Sequence, residues 1–151
     1  MAVDASRLLL TGAVVAASAC RGAGDPAAEM VRALARAANH RDAPAIVAAL
    51  SPDFEGSLGM GRSEVDGELR RLFAAYASID LSVSGIETQP YPDFTLARFR
   101  VEFRGAVRRI GGLEGILPPS ARYRFELRLV PEGRGFRIAS ARWQDIGPGT
   151  P

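Results

Sequence analysis

Few side chains in this sequence could do chemistry, and their types and spacing limit what that chemistry could be. The chain has one cysteine, Cys20, and one histidine, His40. Cys20 stands directly behind an apolar run, Leu8 to Ala17, and the small residues Ala17-Ser18-Ala19. A lone thiol there has no intramolecular disulfide partner and is placed for covalent modification. His40 falls in a turn between two helical stretches, either as a proton-transfer group or as a solvated turn residue. One His and one Cys do not make a ligand set, so neither a metal nor a cofactor is expected. Asp53 and Glu55, behind the second helical stretch, read either as acid–base groups or as surface and capping carboxylates. Tyr76 and Tyr123 are polar tips on otherwise apolar faces, either proton donors or buried tyrosines with satisfied hydroxyls. The run Gly56-Ser57-Leu58-Gly59-Met60-Gly61 precedes a helix, but with no strand expected before it a phosphate-binding loop is not expected.

The amino-terminal segment has the layout of an export leader. Arg7 gives a positive start that Asp4 weakens, and the apolar stretch is well short of the roughly 20 residues a spanning helix needs. Ala17-Ser18-Ala19 fits a small-residue cleavage site; read with Cys20 it resembles a lipobox, with Ala17 where Leu is usual. Both readings cut before Cys20 and differ in whether the thiol is acylated. Acylation would anchor the chain stably, since each buried methylene contributes about 0.8 kcal/mol. The expected organisation is a signal peptide over 1–19, a lipid-anchor tether over 20–25, one domain over 26–146 and a frayed tail over 147–151. The expected location is the bacterial cell envelope, lipid-anchored and facing the periplasm or exterior, with a soluble secreted or periplasmic form as the alternative.

Net charge is only +2, and every one of the 19 basic residues is arginine. Such a balance in an exported chain argues against a nucleic-acid partner. What remains after the leader is long enough for one core without disulfides or metal.

Periodicity supplies the elements. Asp25-Pro26 starts a helix whose stripe is Met30, Val31, Leu34, Ala35 and Ala38. Asn39-His40-Arg41 breaks it, and Asp42 caps a second helix carrying Ile46, Val47 and Leu50, ended by Ser51-Pro52. Ser63 and Asp66 resemble a capping box that opens a third helix with Val65, Leu69, Leu72, Phe73 and Tyr76 on its buried face. Thereafter the period is two. Ile79, Leu81 and Val83 alternate with polar residues, as do Ala97 to Phe103 and Tyr123 to Leu129, and a last strand runs from Phe136 to Ile146. A Gly/Pro-rich connection over 108–120 joins two of these strands. The fold class is α+β: three N-terminal helices packed on a curved, mainly antiparallel sheet.

The last strand leaves one register open. Strict alternation from Phe136 and Ile138 turns Ser140 and Arg142 inward, where Arg142 beside Tyr123 would suit an anionic ligand. A bulge near Ala139 to Ala141 instead turns Trp143 inward and Arg142 to solvent, and an indole is the better group to bury. The Arg/Glu face of the middle strands reads either as cross-strand ion pairs or as an attractor of anionic lipid headgroups or an acidic partner.

The run Leu34-Ala35-Arg36-Ala37-Ala38-Asn39-His40-Arg41-Asp42, continuing through Ile46 to Phe54, precedes the third helix and the closing strand Gly135 to Trp143. In order and spacing these resemble the nuclear transport factor 2-like (SnoaL-like, cystatin-like cone) superfamily over about residues 26–146. The resemblance implies a cone-shaped half-barrel, often a homodimer, with a pocket between sheet and helices. Its members include isomerases, dehydratases and non-catalytic binding modules, so it constrains shape more than function. Expected pocket-lining residues are Tyr76, Phe99, Tyr123, Phe125, Arg142 and Trp143, with no catalytic residue assigned. The leading expectation is a non-enzymatic binding module for a small apolar ligand or an envelope protein. The alternative is an isomerase- or dehydratase-like enzyme using Tyr123, Tyr76 and Asp53 or His40.

Overall fold

The computed structural model describes residues 24–108 and 118–147. The leader, Cys20, residues 109–117 of the connection and 148–151 of the tail lie outside the described residues. In chain order the elements are α1 (Pro26–Asn39), α2 (Ala43–Ala48), β1 (Leu50–Gly56), α3 (Arg62–Ala75), β2 (Tyr76–Pro90), β3 (Thr95–Val107), β4 (Ser120–Glu132) and β5 (Gly135–Asp145). A 3-10 turn, Ser57–Gly59, joins β1 to α3. The strands form one sheet in the order β1-β5-β4-β3-β2, with β1 parallel to β5 and the other pairs antiparallel. The class is therefore α+β with a mainly antiparallel sheet. The three helices are not one uninterrupted block, because β1 separates α2 from α3.

Local chemistry explains the helix ends. The Asp25 side chain accepts a hydrogen bond from the Ala27 N–H at 2.9 Å, with Pro26 in the first turn. At the other end Arg41 takes the left-handed conformation, φ 55°. The Asp42 N–H then reaches the Ala37 carbonyl at 2.8 Å and the Arg41 N–H the Ala38 carbonyl at 3.0 Å, a Schellman closure that satisfies the last carbonyls. Asp42 goes on to cap α2 through the Ala45 N–H at 3.0 Å.

Three expectations are corrected. Helix α2 stops at Ala48, and Leu50 belongs to β1, because the Ala49 carbonyl is taken by the Ile138 N–H at 2.9 Å and Leu50 pairs with Ile138. Helix α3 begins at Arg62 with Gly61 as its cap; Ser63 bonds Glu64 at 3.1 Å, and Asp66 pairs with Arg70 at 3.0 Å in place of a capping box. Tyr76 is the first residue of β2 and not part of the α3 face.

The alternation of β2 to β4 is realised as read: Ala97, Phe99, Val101, Leu127 and Leu129 are buried under the helices. Two of the register shifts bear on the site and curve the sheet. In β2 the register shifts between Ser84 and Glu87, where Gly85 supplies φ +60°. In β5 the shift falls between the partners of Leu129 and Arg128, which are Ile138 and Ser140, leaving Ala139 unpaired. The outer edge of β2 is partly closed by α1. Asn39 donates to the Leu81 carbonyl at 2.9 Å and accepts from the Leu81 N–H at 2.7 Å.

Candidate functional site

The helices cover the inner face of the sheet without filling the space between. A cavity of about 470 Å³ remains, walled by residues of all three helices, of β1, and of the inner face of β2 to β5. Its origin lies partly in α1, which turns the small side chains of Ala35 and Ala38 toward it. The sheet side of the wall carries an aromatic row set by register: Phe99 on β3 pairs with Phe125 on β4, and Phe125 with Trp143 on β5. The ring centroids are 5.5 and 6.0 Å apart, with planes 5° and 26° from parallel. Leu72 and Trp143, each 40% exposed, mark where the cavity meets solvent.

Among the described residues of this wall only Glu68 is charged. It stands on α3, half-exposed, and forms an ion pair with Arg71 one turn on. Such a wall can desolvate an apolar molecule over most of its surface, with a single carboxylate at hand.

The bulge at Ala139 decides the register left open by the sequence. Ile138 faces inward, one residue is skipped, and Ala141 and Trp143 then share the inner side with Leu127 and Phe125. Arg142 pairs with Glu126 on the outer face. Strict alternation would have desolvated the guanidinium and exposed the indole.

Of the residues expected to line a pocket, Phe99, Phe125 and Trp143 are on the wall; Tyr76, Tyr123 and Arg142 stand off it. Tyr76 is buried, its ring edge-on to Phe103 at 5.0 Å and its hydroxyl donating to the Pro118 carbonyl at 2.9 Å. Tyr123 packs edge-on against Phe125 at 6.2 Å. Burial raises both phenols above the ordinary value, reinforced for Tyr76 by Tyr123 and for Tyr123 by the charge of Asp145. His40 is the exposed C-cap of α1, and Asp53 and Glu55 are exposed on β1, so none of the three reaches the cavity.

Glu68 is the wall residue that sequence reasoning missed, although a signal was present. It lies three residues after Val65 and four before Leu72, within the apolar stripe of α3. The glycine-rich run does follow a strand, β1, contrary to expectation. The start of α3 is nevertheless occupied by its own Glu64, whose carboxylate takes the Glu64 N–H, the Ser63 hydroxyl and the Gly61 N–H and is held below the usual carboxylate range. Among the described residues no cluster of three or more His, Cys, Asp or Glu could hold a metal.

No family model matches the sequence, and no curated protein matches it either. Solved structures do resemble the fold. Bd1075 of Bdellovibrio bacteriovorus superposes with a TM-score of 0.66 at 12% identity over 80% of this chain, which spans 40% of that chain's length. A protein of Novosphingobium aromaticivorans named as a candidate scytalone dehydratase gives 0.68 at 11% identity, covering 80% of this chain and 82% of that one. A cystatin-like protein of Caulobacter vibrioides gives 0.63 at 17% identity over 82% and 89%. At these identities the likeness establishes the fold alone, a cystatin-like one, and leaves the activity to the site itself.

Proposed function

We propose that this chain is a non-enzymatic binding module of the bacterial cell envelope, held to a membrane by an acylated Cys20, which takes a small apolar molecule into the cavity beneath its helices. The observation that carries this reading is the cavity wall, whose described residues carry one charged group, Glu68, among apolar and aromatic side chains. A volume of about 470 Å³ is in the range of small-molecule sites, roughly 300–1,000 Å³, and dry apolar cavities take up apolar guests. General acid–base turnover needs groups within hydrogen-bond reach of substrate, and the wall offers one carboxylate already engaged with Arg71.

Trp143 makes the test direct, because it is the only tryptophan and stands on the wall. Titration with the neutral probe N-phenyl-1-naphthylamine should quench its emission saturably, and Ala38→Phe, which projects a ring into the cavity, should abolish the effect while the fold is retained. Equal quenching of both proteins would refute the reading. For the anchor, acyl labelling should be lost in Cys20→Ser; labelling equal to that of the parent would reject it. Glu68, together with the likeness to a candidate dehydratase, favours a second reading, an isomerase- or dehydratase-like enzyme with that carboxylate as its base. Solvent-deuterium incorporation into a bound carbonyl compound, abolished by Glu68→Gln, would establish it.

A further inference from the structure

The face of the sheet that turns away from the helices carries a second chemistry. Across β3, β4 and β5, Arg98, Glu126 and Arg142 form one register row, and Arg100, Arg124 and Gln144 form the next. Arg98 donates to Glu126 at 2.7 Å, and Glu87, its partner on β2, acts on the same guanidinium. Among the described residues no ion pair engages Arg100, Arg124 or Arg142, and all three are exposed. A shallow depression of about 240 Å³ lies among Arg98, Arg124, Glu126, Arg142 and Gln144. Arg100 and Arg124 are direct cross-strand partners, an arrangement of like charges that weakens a sheet. Arg100 lies over Gly85, where a Cβ would stand 3.0 Å from its Nη2, so the bulge glycine makes room for the guanidinium.

We propose that this arginine face docks the domain onto an anionic phospholipid surface. Unneutralised guanidinium groups spread over two rows of an open sheet suit a plane of phosphate headgroups. The attachment of the chain points the same way, given the reading of Cys20 as the acylated residue on which this part of the argument rests. Asp25 is bonded to Thr88, which pairs with the helix-facing Ala97 but lies on the edge strand β2, so the attachment leaves at the sheet edge, one strand from Arg98. The five Cα-to-Cα steps from Cys20 to Asp25 span at most about 18 Å. An anchored Cys20 therefore brings the sheet edge beside the arginine rows close to the headgroups. Attraction between arginine and an anionic leaflet acts within a Debye length, about 8 Å at physiological salt.

The test compares two full-length proteins, both carrying Cys20→Ser so that no acyl chain contributes: one with native arginines, one with Arg100→Gln, Arg124→Gln and Arg142→Gln. Each is partitioned onto vesicles of phosphatidylcholine alone or with phosphatidylglycerol at about one third. The native face should favour the anionic vesicles by about tenfold or more, the preference should collapse at high salt, and the triple variant should lose most of it. A second variant, Arg32→Gln with Arg36→Gln and Arg70→Gln, removes the same charge from the helices and should keep the preference. Equal loss in both variants, or no preference for phosphatidylglycerol in the native protein, overturns the proposal. So does a dimer in sedimentation that only the sheet variant breaks, which would make the face an interface between copies. Vesicle preference without acyl labelling of the native chain would remove the anchor and leave the arginine face standing.

Discussion

Gly105→Ala sets two effects of comparable size against each other. Gly105 lies in β3, and its φ is not positive, so alanine can adopt the backbone without strain. Taken alone, the change should stabilise a strand by about 0.5–1 kcal/mol, because glycine loses more freedom on folding. Packing opposes this. A Cβ at Gly105 would stand 2.5 Å from Tyr76 Cδ1 and 2.8 Å from Phe103 Cζ. Carbon atoms rest at about 3.5–4.0 Å, so two rings overlap the new methyl by roughly 0.7–1 Å or more. Neither ring retreats easily: Tyr76 is tied by its hydroxyl to the Pro118 carbonyl at 2.9 Å and packs edge-on against Phe103. Overpacking of this kind costs about 1–3 kcal/mol, so the clash wins and the variant should be less stable by about 1–2 kcal/mol. Urea unfolding should show a lower midpoint at unchanged slope. In a Tyr76→Ala background the nearer obstacle is gone and Phe103 loses the ring packed edge-on against it, so the cost of the same substitution should fall by about 1 kcal/mol or more. The reasoning fails if Gly105→Ala stabilises the parent, or if its cost is the same in both backgrounds.

Asn39→Ala removes both bonds to the Leu81 backbone and should cost about 1–2 kcal/mol, with faster hydrogen exchange at the Leu81 amide than at Val101. Leu58 is fully exposed with φ 63°, so Leu58→Gly should raise the urea midpoint by the equivalent of up to about 1 kcal/mol; a lower midpoint would show that the leucine makes a contact that matters. In an ultraviolet titration, the component missing from Tyr76→Phe should lie above the ordinary phenol value of 10.0. The folded hydroxyl keeps its proton to higher pH than the unfolded one, so this stabilisation is intact below pH 10 and fades as pH rises through the folded value.

How much could be read from the sequence depended on how far each element acts through its own pattern. Strands β2 to β4 were legible because each alternates for several residues with one face buried, whereas the skip at Ala139 left the register of β5 open. The caps of α1 and α2 were legible because Asp25-Pro26 and Asp42 act on the N–H groups next to them. Strand β1 was not, since Leu50-Ser51-Pro52-Asp53-Phe54-Glu55-Gly56 carries a proline and pairs irregularly on an outer edge, where proline is tolerated. Strand parity placed Phe99 and Phe125 on the wall. Other placements are tertiary: Tyr76 fits an inward pattern, yet its ring packs with Phe103, away from the cavity. Ala35 and Ala38 look like ordinary helix formers, and only the distance between α1 and the sheet turns their small size into open volume.

A single unpaired residue keeps the two faces of the sheet chemically distinct. Along β5, inward and outward positions are interchanged by the skip at Ala139, so the sequence Ser140-Ala141-Arg142-Trp143 places its small and aromatic members inside and its guanidinium outside. Without the skip, Arg142 would stand in an apolar cavity with no carboxylate beside it in the aromatic row, and burying that charge would cost several kcal/mol. Trp143 would leave the end of the aromatic row and stand on the outer face, and Gln144 would turn inward. The bulge therefore completes the apolar wall and the arginine rows together. The same positions serve the cavity and the outer face, so a change of register in β5 would damage both, whereas a side-chain substitution on one face should leave the other intact. That separation is why vesicle binding and probe binding can be measured on the same protein as independent properties.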